Sequence, residues 1–549
     1  MRTVLRLFGL AATVLAGIAP IEWEGSTSAT RSPKNRYDTF LLDTPPFDST
    51  LNTSELFFFK GIDYQPGGSS AFVGRSDPLS DYEACSRDIY LFQQLGVNAI
   101  RVYTVNPDIN HDECMTLLAE AGIYLILDVN SPRIGESLNR YEPWTTYHEK
   151  YLEHIFKVVE QFSHYNNTLA FFAGNEVVND DQSAMVSPNY IKAVVRDLKY
   201  YLANQSPRKI PVGYSAADDL KYRTSLAQYL ECGDEMSSVD FYGVNSYQWC
   251  GEQSFVSSGY DRLVDDYRDY SLPLIFSEYG CNEVKPRTFQ EVRAVYSSSM
   301  TDVFSGGLIY EFSQEPNDYG LVQIYKNHSA QVLEDFEALK KAYHDAPKAK
   351  LSDFRAVERP QRCELVYPNI NTMNPLPDTF GLDMITRGVR APRGKYVDLH
   401  KRGTSYTIYD LEGNVIEDTE VQQVIDLKEP LAAPPPSPPT RKAPAVPEPK
   451  DPVEPVYDEY PKKVATVEEE DDHEVVNPRR PFERKSECDS CGTDIDGDGW
   501  SRDFFSSFNY ANLLETSTGS YRDTAVLGWI KYLVSVMLGV VVVEVVRLM

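Results

Sequence analysis

LFFFKGIDY (56–64), AIRVYTV (99–105), YLILDV (124–129), LAFFAGNE (169–176), PVGYSA (211–216), FYGVNSY (241–247), LIFSEYG (274–280) and GLIYEFS (307–313) are eight short apolar runs. None alternates apolar with polar residues over its length, which marks strands covered on both faces. Helix-like stretches lie between most of them. Examples are DYEACSRDIYLFQQLG (81–96), HDECMTLLAEAG (111–122), YHEKYLEHIFKVVEQF (147–162) and SPNYIKAVVRDLKYYLA (187–203). The last offers Ser187 as an N-cap and Pro188 at the first helical position. Eight buried strands separated by helices predict an α/β fold, a (β/α)₈ barrel. An open doubly wound sheet is the alternative, but no Gly-rich phosphate loop follows the first strand.

Outside these runs the composition changes. The chain has 549 residues, with 53 Lys and Arg against 81 Asp and Glu, a net charge of −28. Its 36 Tyr, 25 Phe and 5 Trp exclude a wholly disordered chain. A mean hydropathy of −0.39 excludes a polytopic membrane protein. The negative field repels phosphates, so no nucleic-acid partner is expected. Proline and acid are concentrated rather than spread. Eleven of the 35 Pro fall in residues 430–455, and Asp451–Val475 holds ten acids against two Lys. That composition predicts an extended, self-repelling linker over 429–485.

The remaining segments follow from the ends inward. Arg2 and Arg6 precede the apolar run Leu7–Ala19. The run is shorter than the roughly 20 residues a bilayer span needs, so 1–19 reads as a secretory signal. Residues 525–549 hold an apolar stretch, Val526–Val543, interrupted by Lys531 alone. Small residues Ser517–Ser520 and a polar spacer precede it, as in a GPI-attachment signal, with a retained transmembrane helix as the alternative. The barrel is expected over 35–345. An appended segment, 346–428, contains strand-like GKYVDLH (394–400) and SYTIYDLEGNVI (405–416), and is expected to pack on the barrel. Residues 486–520 form a short Cys-containing segment. Its Cys488 and Cys491 suit a local disulfide better than zinc, since further ligands are missing nearby. DIDGDG (494–499) begins like a calcium loop, but the twelfth position is Phe505 instead of Glu. No metal or cofactor is expected.

Eight cysteines in an exported chain imply disulfides. Cys363 lies in the appended segment and needs a partner in the barrel, which holds Cys85, Cys114, Cys232, Cys250 and Cys281. Sequons at Asn52, Asn166, Asn204 and Asn327 fit surface glycosylation.

Catalytic groups of such barrels sit at the C-terminal ends of the strands. Those ends carry Tyr103, Asp128–Asn130, Asn175, Glu176, Tyr214, Asn245, Tyr247, Glu278, Tyr310 and Glu311. Glu176 and Glu278 stand out. A carboxylate ending an apolar strand is expensive to bury unpaired and is tolerated where a cleft uses it. Two such groups across a barrel mouth are what glycoside cleavage requires: an acid for the leaving oxygen and a carboxylate for the anomeric carbon. A structural ion pair or metal ligation remains open on residue types alone. Asn175 can bond a sugar 2-hydroxyl, and Tyr103, Tyr247, Trp249 and Tyr310 can line the mouth.

FFFKGIDYQ, RVYTVNP, NHDECM, FFAGNEV, YGVNSYQWCG and FSEYGCNE, in that order, resemble the fungal β-1,3-glucanosyltransferases of glycoside hydrolase family 72. The resemblance covers about residues 40–365. It implies that Glu278 is the nucleophile and Glu176 the acid/base of a retaining double displacement. An internal β-1,3-glucan linkage is cleaved, and the new reducing end is transferred to a second glucan, elongating the cell-wall polymer. It implies that Tyr103, Asp128, Asn175, Tyr247 and Tyr310 surround the donor sugar. It implies the disulfides Cys85–Cys114, Cys250–Cys281 and Cys232–Cys363. It also implies a secreted, GPI-anchored glycoprotein at the outer face of the cell membrane and in the wall, with glucan donor and acceptor chains as partners. An endo-β-1,3-glucanase and a catalytically inactive glucan-binding wall protein are the alternatives. Only Cys488 and Cys491 remain after the barrel and its appendage, so no Cys-rich glucan-binding module is expected.

Overall fold

The computed structural model describes residues 40–42, 55–71, 74, 76–348 and 359–427. Segments 1–19, 429–485, 486–520 and 525–549, with Asn52, Cys488 and Cys491, lie outside the described residues. Among the described residues no helix is long and apolar enough to cross a membrane.

The eight apolar runs form one closed, parallel barrel. Its strands are β1 (Phe59–Asp63), β2 (Ala99–Val102), β3 (Tyr124–Asp128), β4 (Thr168–Asn175), β5 (Val212–Ala217), β6 (Phe241–Asn245), β7 (Leu274–Tyr279) and β8 (Phe304–Ile309). Each pairs with the next, and β8 closes on β1 with Ile309 opposite Ile62. The (β/α)₈ barrel read from the sequence is therefore the architecture. Uninterrupted apolar strands have a direct cause here. One face packs on the helices, and the other fills the barrel, where Phe59, Ala99, Ile126, Phe172, Phe241 and Ile275 form one buried cluster. Gly213 makes room for it, since a Cβ there would meet the Phe241 ring at 2.5 Å.

The covering helices start and stop where local chemistry dictates. Helix Tyr82–Leu95 begins with the Asp81 carboxylate accepting from the N–H groups of Glu83 and Ala84. It ends at Gly96, whose φ of 73° is cheap for glycine alone. Ser187 precedes Pro188 at the start of its helix as expected, but its side chain makes no cap bond. A short helix, Asp181–Val186, runs directly into Pro188–Gln205. Ser187 is thereby held in helical conformation, and its hydroxyl donates to the Arg140 carbonyl instead of capping.

The 359–427 region lies along the barrel's flank as a strap. Cys363 is joined to Cys232. Cys85 is joined to Cys114 and Cys250 to Cys281. GKYVDLH forms no strand, because its backbone donors serve barrel side chains instead of a ladder. Lys395 N–H donates to Asp112 and Val397 N–H to Thr116 Oγ1. Further along, Arg402 makes two bonds to Glu120. SYTIYDLEGNVI supplies β11 (Ile408–Tyr409), which adds to an antiparallel pair, β9 (Val322–Ile324) and β10 (Ala330–Val332). Gly413, at φ 84°, closes its turn.

Candidate active site

The inward-facing positions change character toward the C-terminal end of the barrel. Ala99 is followed on the same face by Arg101, Ile126 by Asp128, Phe241 by Asn245 and Ile275 by Ser277. This polar layer would be unstable unless its members satisfied one another. Arg101 is the hub. It is fully buried and donates from Nε and Nη2 to both oxygens of Asp128, at 3.0 and 2.9 Å. Its Nη2 also reaches Asn175 Oδ1 at 3.1 Å, and Nη1 reaches Glu278 Oε1 at 3.1 Å. The guanidinium lies 4.2 Å from the Tyr103 ring centroid.

Glu278, on β7, is 7 % exposed. Besides Arg101 it accepts from the Tyr103 hydroxyl at Oε1 and the Tyr247 hydroxyl at Oε2, both at 2.7 Å. Burial pushes its carboxyl up, to about 7. Arg101 pulls the other way, the Glu176 charge adds to the rise, and the two tyrosine bonds oppose it. Glu278 is thus a carboxylate held by three donors, Arg101 and Tyr103 at Oε1 and Tyr247 at Oε2.

Glu176 follows β4 with φ 47°, a left-handed conformation for a residue other than glycine. Such strain persists where surroundings enforce it. Here the Glu176 N–H donates to the Ser215 carbonyl, and Val178 N–H donates to the Tyr214 hydroxyl. Asn245 Nδ2 donates to Glu176 Oε1 at 2.8 Å and lies 3.1 Å from Asn175 Oδ1. Ser215 Oγ sits 2.7 Å from Asn175 Oδ1. Glu176 and Asn175 are therefore held by β5 and β6 rather than by their own strand.

The tyrosines form a wall on the other side. Tyr310 packs edge-on against Tyr103, Tyr247 and Tyr319, with ring centroids 6.4, 6.3 and 5.1 Å away. Tyr103, Asn175, Glu176, Tyr247, Glu278 and Tyr310 are thus brought to one mouth, and Asp128 sits beneath them with both oxygens committed to Arg101. Two expectations fail. Trp249 does not line the mouth; it is 6 % exposed and packs on Tyr260 at 5.2 Å, outside the barrel. Tyr214 is buried outside the barrel too, with its hydroxyl serving Val178.

Two residues that the strand-end reading passed over, Arg101 and Asp63, stand at the site beside Asn245 and Glu311, which it named. Arg101 and Asp63 each interrupt an apolar strand with charge, which was the available signal. Asp63 is fully buried, and neither carboxyl oxygen has a hydrogen-bond partner among the described residues. Burial raises it well above the carboxylate range, against the pull of Arg101. Burial likewise pushes Glu311 up, to about 8, although Asn317 Nδ2 donates to it at 2.7 Å. Both favour the neutral acid, Asp63 within reach of the Arg101 and Asp128 charges and Glu311 within reach of Glu278. Among the described residues one group has metal-ligand types in reach of one another: Cys250, Cys281 and Glu283. Its two sulfurs are already joined in a disulfide and offer no thiolate.

The hydrogen bonds to Glu278 give a pH prediction whose sign is fixed by geometry. Tyr247→Phe removes a donor that favours the ionised form, so the acidic limb of kcat/KM moves to higher pH. A bond to a charged acceptor is worth about 1.5–3 kcal/mol, which corresponds to a shift of about one pH unit or more. A profile with an unmoved acidic limb would show that this bond does not tune a carboxyl on which turnover depends.

Residues 42–347 match the family model described as "Glucanosyltransferase", of glycoside hydrolase family 72. The chain is 55 % identical over 386 residues to a 1,3-beta-glucanosyltransferase, GAS4, of Saccharomyces cerevisiae, covering 68 % of this chain and 82 % of that one. It is 45 % identical to the 1,3-beta-glucanosyltransferase gel2 of Aspergillus fumigatus, covering 66 % and 78 %. Among solved structures it resembles a mutant of S. cerevisiae Gas2p in complex with laminaritetraose and laminaripentaose. That match has 37 % identity and a TM-score of 0.55, over 67 % of this chain and 76 % of the other.

A closed (β/α)₈ barrel with two glutamates at its mouth is the frame of an enzyme acting on glycosidic bonds. More narrowly, the chain belongs to the glucanosyltransferases of glycoside hydrolase family 72.

Proposed function

We propose that this protein is a β-1,3-glucanosyltransferase that cleaves a glucan chain internally and joins the new reducing end to a second chain. The observation that carries the reading is the dressing of Glu278 by Tyr103, Tyr247 and Arg101, with Glu176 facing the same mouth. Three donors fix the carboxylate's rotation and leave it one productive use, attack on an electrophilic carbon at the open side. Glu278 attacks the anomeric carbon of the donor. Glu176 protonates the departing glycosidic oxygen. The covalent glycosyl-enzyme is then opened by an acceptor hydroxyl, whose proton passes to Glu176. Two inversions retain the β configuration. Asn175, held by Ser215 and Arg101, is positioned to bond the 2-hydroxyl of the sugar undergoing reaction. Asp128 acts through Arg101 as a positioning residue. The tyrosine wall offers apolar faces to glucose rings.

Transfer and hydrolysis share the first step and differ in what opens the intermediate. Incubation with reduced laminari-oligosaccharides and sizing of the products separates them. Products longer than the substrate are expected; products that are only shorter would leave an endo-β-1,3-glucanase.

The protein acts outside the cell, in keeping with three disulfides in its described residues. The signal at 1–19 and attachment through 525–549 by a GPI anchor complete the proposal. Release from membranes by a phosphatidylinositol-specific phospholipase supports the anchor. Persistence in the detergent phase after that treatment would favour a retained helix.

A further inference from the structure

The β9–β10 hairpin turns at Tyr325–Ser329. Its tip carries the sequon Asn327–His328–Ser329. His328 adopts φ 64°, which brings Ser329 back toward Asn327. Ser329 Oγ donates to Asn327 Oδ1 at 2.7 Å, and Ser329 N–H does so at 3.2 Å. These bonds orient the side-chain amide and use only its oxygen. The other described sequons are engaged differently. Thr168, the hydroxyl residue of the Asn166 sequon, is buried in β4 and donates to the Phe162 carbonyl. Asn204 Nδ2 donates to the Tyr200 carbonyl at 2.7 Å.

An open groove of about 420 Å³ adjoins Asn327. Its lining is Tyr325, Asn327, Ser329, Gln331, Tyr409 and Gly413. Tyr325, in the turn after β9, is 42 % exposed, so part of its surface is open at the groove. Tyr409 pairs with Gln331 across the β10–β11 ladder and shares its face. The Tyr325 hydroxyl donates to Gln331 Oε1, leaving the amide nitrogen of Gln331 directed elsewhere. Flat aromatic faces with side-chain amides beside them suit a sugar bearing hydroxyl and acetamido groups. The groove also crosses a seam: Tyr325, Asn327, Ser329 and Gln331 come from the barrel's hairpin, Tyr409 and Gly413 from the strap.

We propose that Asn327 carries an N-linked glycan whose first N-acetylglucosamine residues lie in this groove. The glycan bridges the hairpin and the strap. In the joining step, Nδ2 loses a proton and bonds to C1 of the sugar as the C1–O bond of a lipid pyrophosphate-linked oligosaccharide breaks. Covalent attachment at the groove's own edge then gives the sugar a high effective concentration over the tyrosines, so weak contacts suffice to seat it. This inference is independent of the mouth chemistry and needs only passage through the secretory route.

The test uses the full chain produced in a glycosylating yeast. Peptide mapping is expected to find Asn327 modified, and Asn327→Gln to lose one glycan mass. Under native conditions, endoglycosidase is expected to cut the Asn327 glycan about fivefold faster in Tyr409→Ala than in the unaltered protein. Tyr409→Phe, which keeps the ring, should retain the protection. Transferase activity of the Tyr409 variants, unchanged because Tyr409 stands on the small three-stranded sheet outside the barrel, reports that they fold. Hydrogen exchange over 408–416 should quicken in Asn327→Gln. An unmodified Asn327, or equal cutting rates with and without the Tyr409 ring, would overturn the proposal. So would protection of the groove in Asn327→Gln by laminaripentaose at the level the glycan provides, which would assign it to free glucan.

Discussion

Glu278→Gln is expected to lower glucan transfer at least about 10⁴-fold, because it removes the oxygen that the proposed nucleophile would bond to the sugar. The substitution keeps the shape of the side chain, so Tyr103 and Tyr247 still have an oxygen or nitrogen before them, and substrate binding should persist. Glu176→Gln has a smaller cost, about 10²–10⁴-fold, since proton transfer is assisted rather than replaced. A donor with a leaving group that needs no proton separates the two roles. With it, Glu176→Gln recovers the first step and accumulates glycosyl-enzyme visible by mass spectrometry. Glu278→Gln recovers nothing. If Glu278→Gln retained activity, or if the activated donor rescued it and failed to rescue Glu176→Gln, the assignment of the two carboxyls would be reversed or wrong.

The same variant has a stability signature. Burial raises the folded-state value of Glu278 from 4.5 to about 7. Across that window the folded chain holds a proton that the unfolded chain has released. Wild-type stability therefore falls as pH rises from 4.5 to about 7, and no proton is held at this position in Glu278→Gln. Above pH 7 the variant should be the more stable protein, by something on the order of 3 kcal/mol, with the difference vanishing below pH 4.5. Urea titrations at both ends of the window measure it. Equal wild-type and variant stabilities at all pH values would mean that Glu278 carries no burial strain. A residue that weakens the fold and is indispensable to transfer is the combination expected of a working site.

Much of this was legible in the chain. Apolar, non-alternating strands report burial on both faces, and eight of them with intervening helices leave few closed arrangements. Glu176 and Glu278 were visible because each breaks an apolar run at a strand end. What escaped was the layer beneath. Arg101 interrupts AIRVYTV just as conspicuously, but its meaning lies in partners 27 and 177 positions away. Only barrel closure decides which carboxylates those are. Trp249 misled for the complementary reason. It lies two residues past Tyr247, yet the chain turns after β6 and sends its ring toward Tyr260. The strap was misread where strand-like composition in GKYVDLH met side-chain acceptors on the barrel instead of a free sheet edge. Ladder partners are a tertiary fact, and local propensity does not reveal them.

Arg101 is where fold and site are hardest to separate, and its substitution carries the second large effect. Arg101→Met leaves Asp128 and Glu278 facing one another in the barrel without their cation. Breaking a buried pair from one side costs about 3–5 kcal/mol, so a marked drop in urea midpoint is expected. Activity should fall further than stability explains, because Tyr103 rests on the guanidinium and Asn175 is bonded to it. Arg101→Lys discriminates. It restores charge, but a single ammonium cannot grip both Asp128 oxygens while reaching Glu278 and Asn175. Part of the stability should return while most of the activity stays lost, with the acidic limb of kcat/KM moved upward because Arg101 is the main influence opposing burial at Glu278. Arg101→Met combined with Asp128→Asn should lose much less stability than the two single costs added together, since removing Asp128's charge also removes what Arg101 was compensating. Strict additivity in that cycle would show that the two residues act separately, and the polar layer would then be a set of independent contacts rather than one support for the reacting carboxylate.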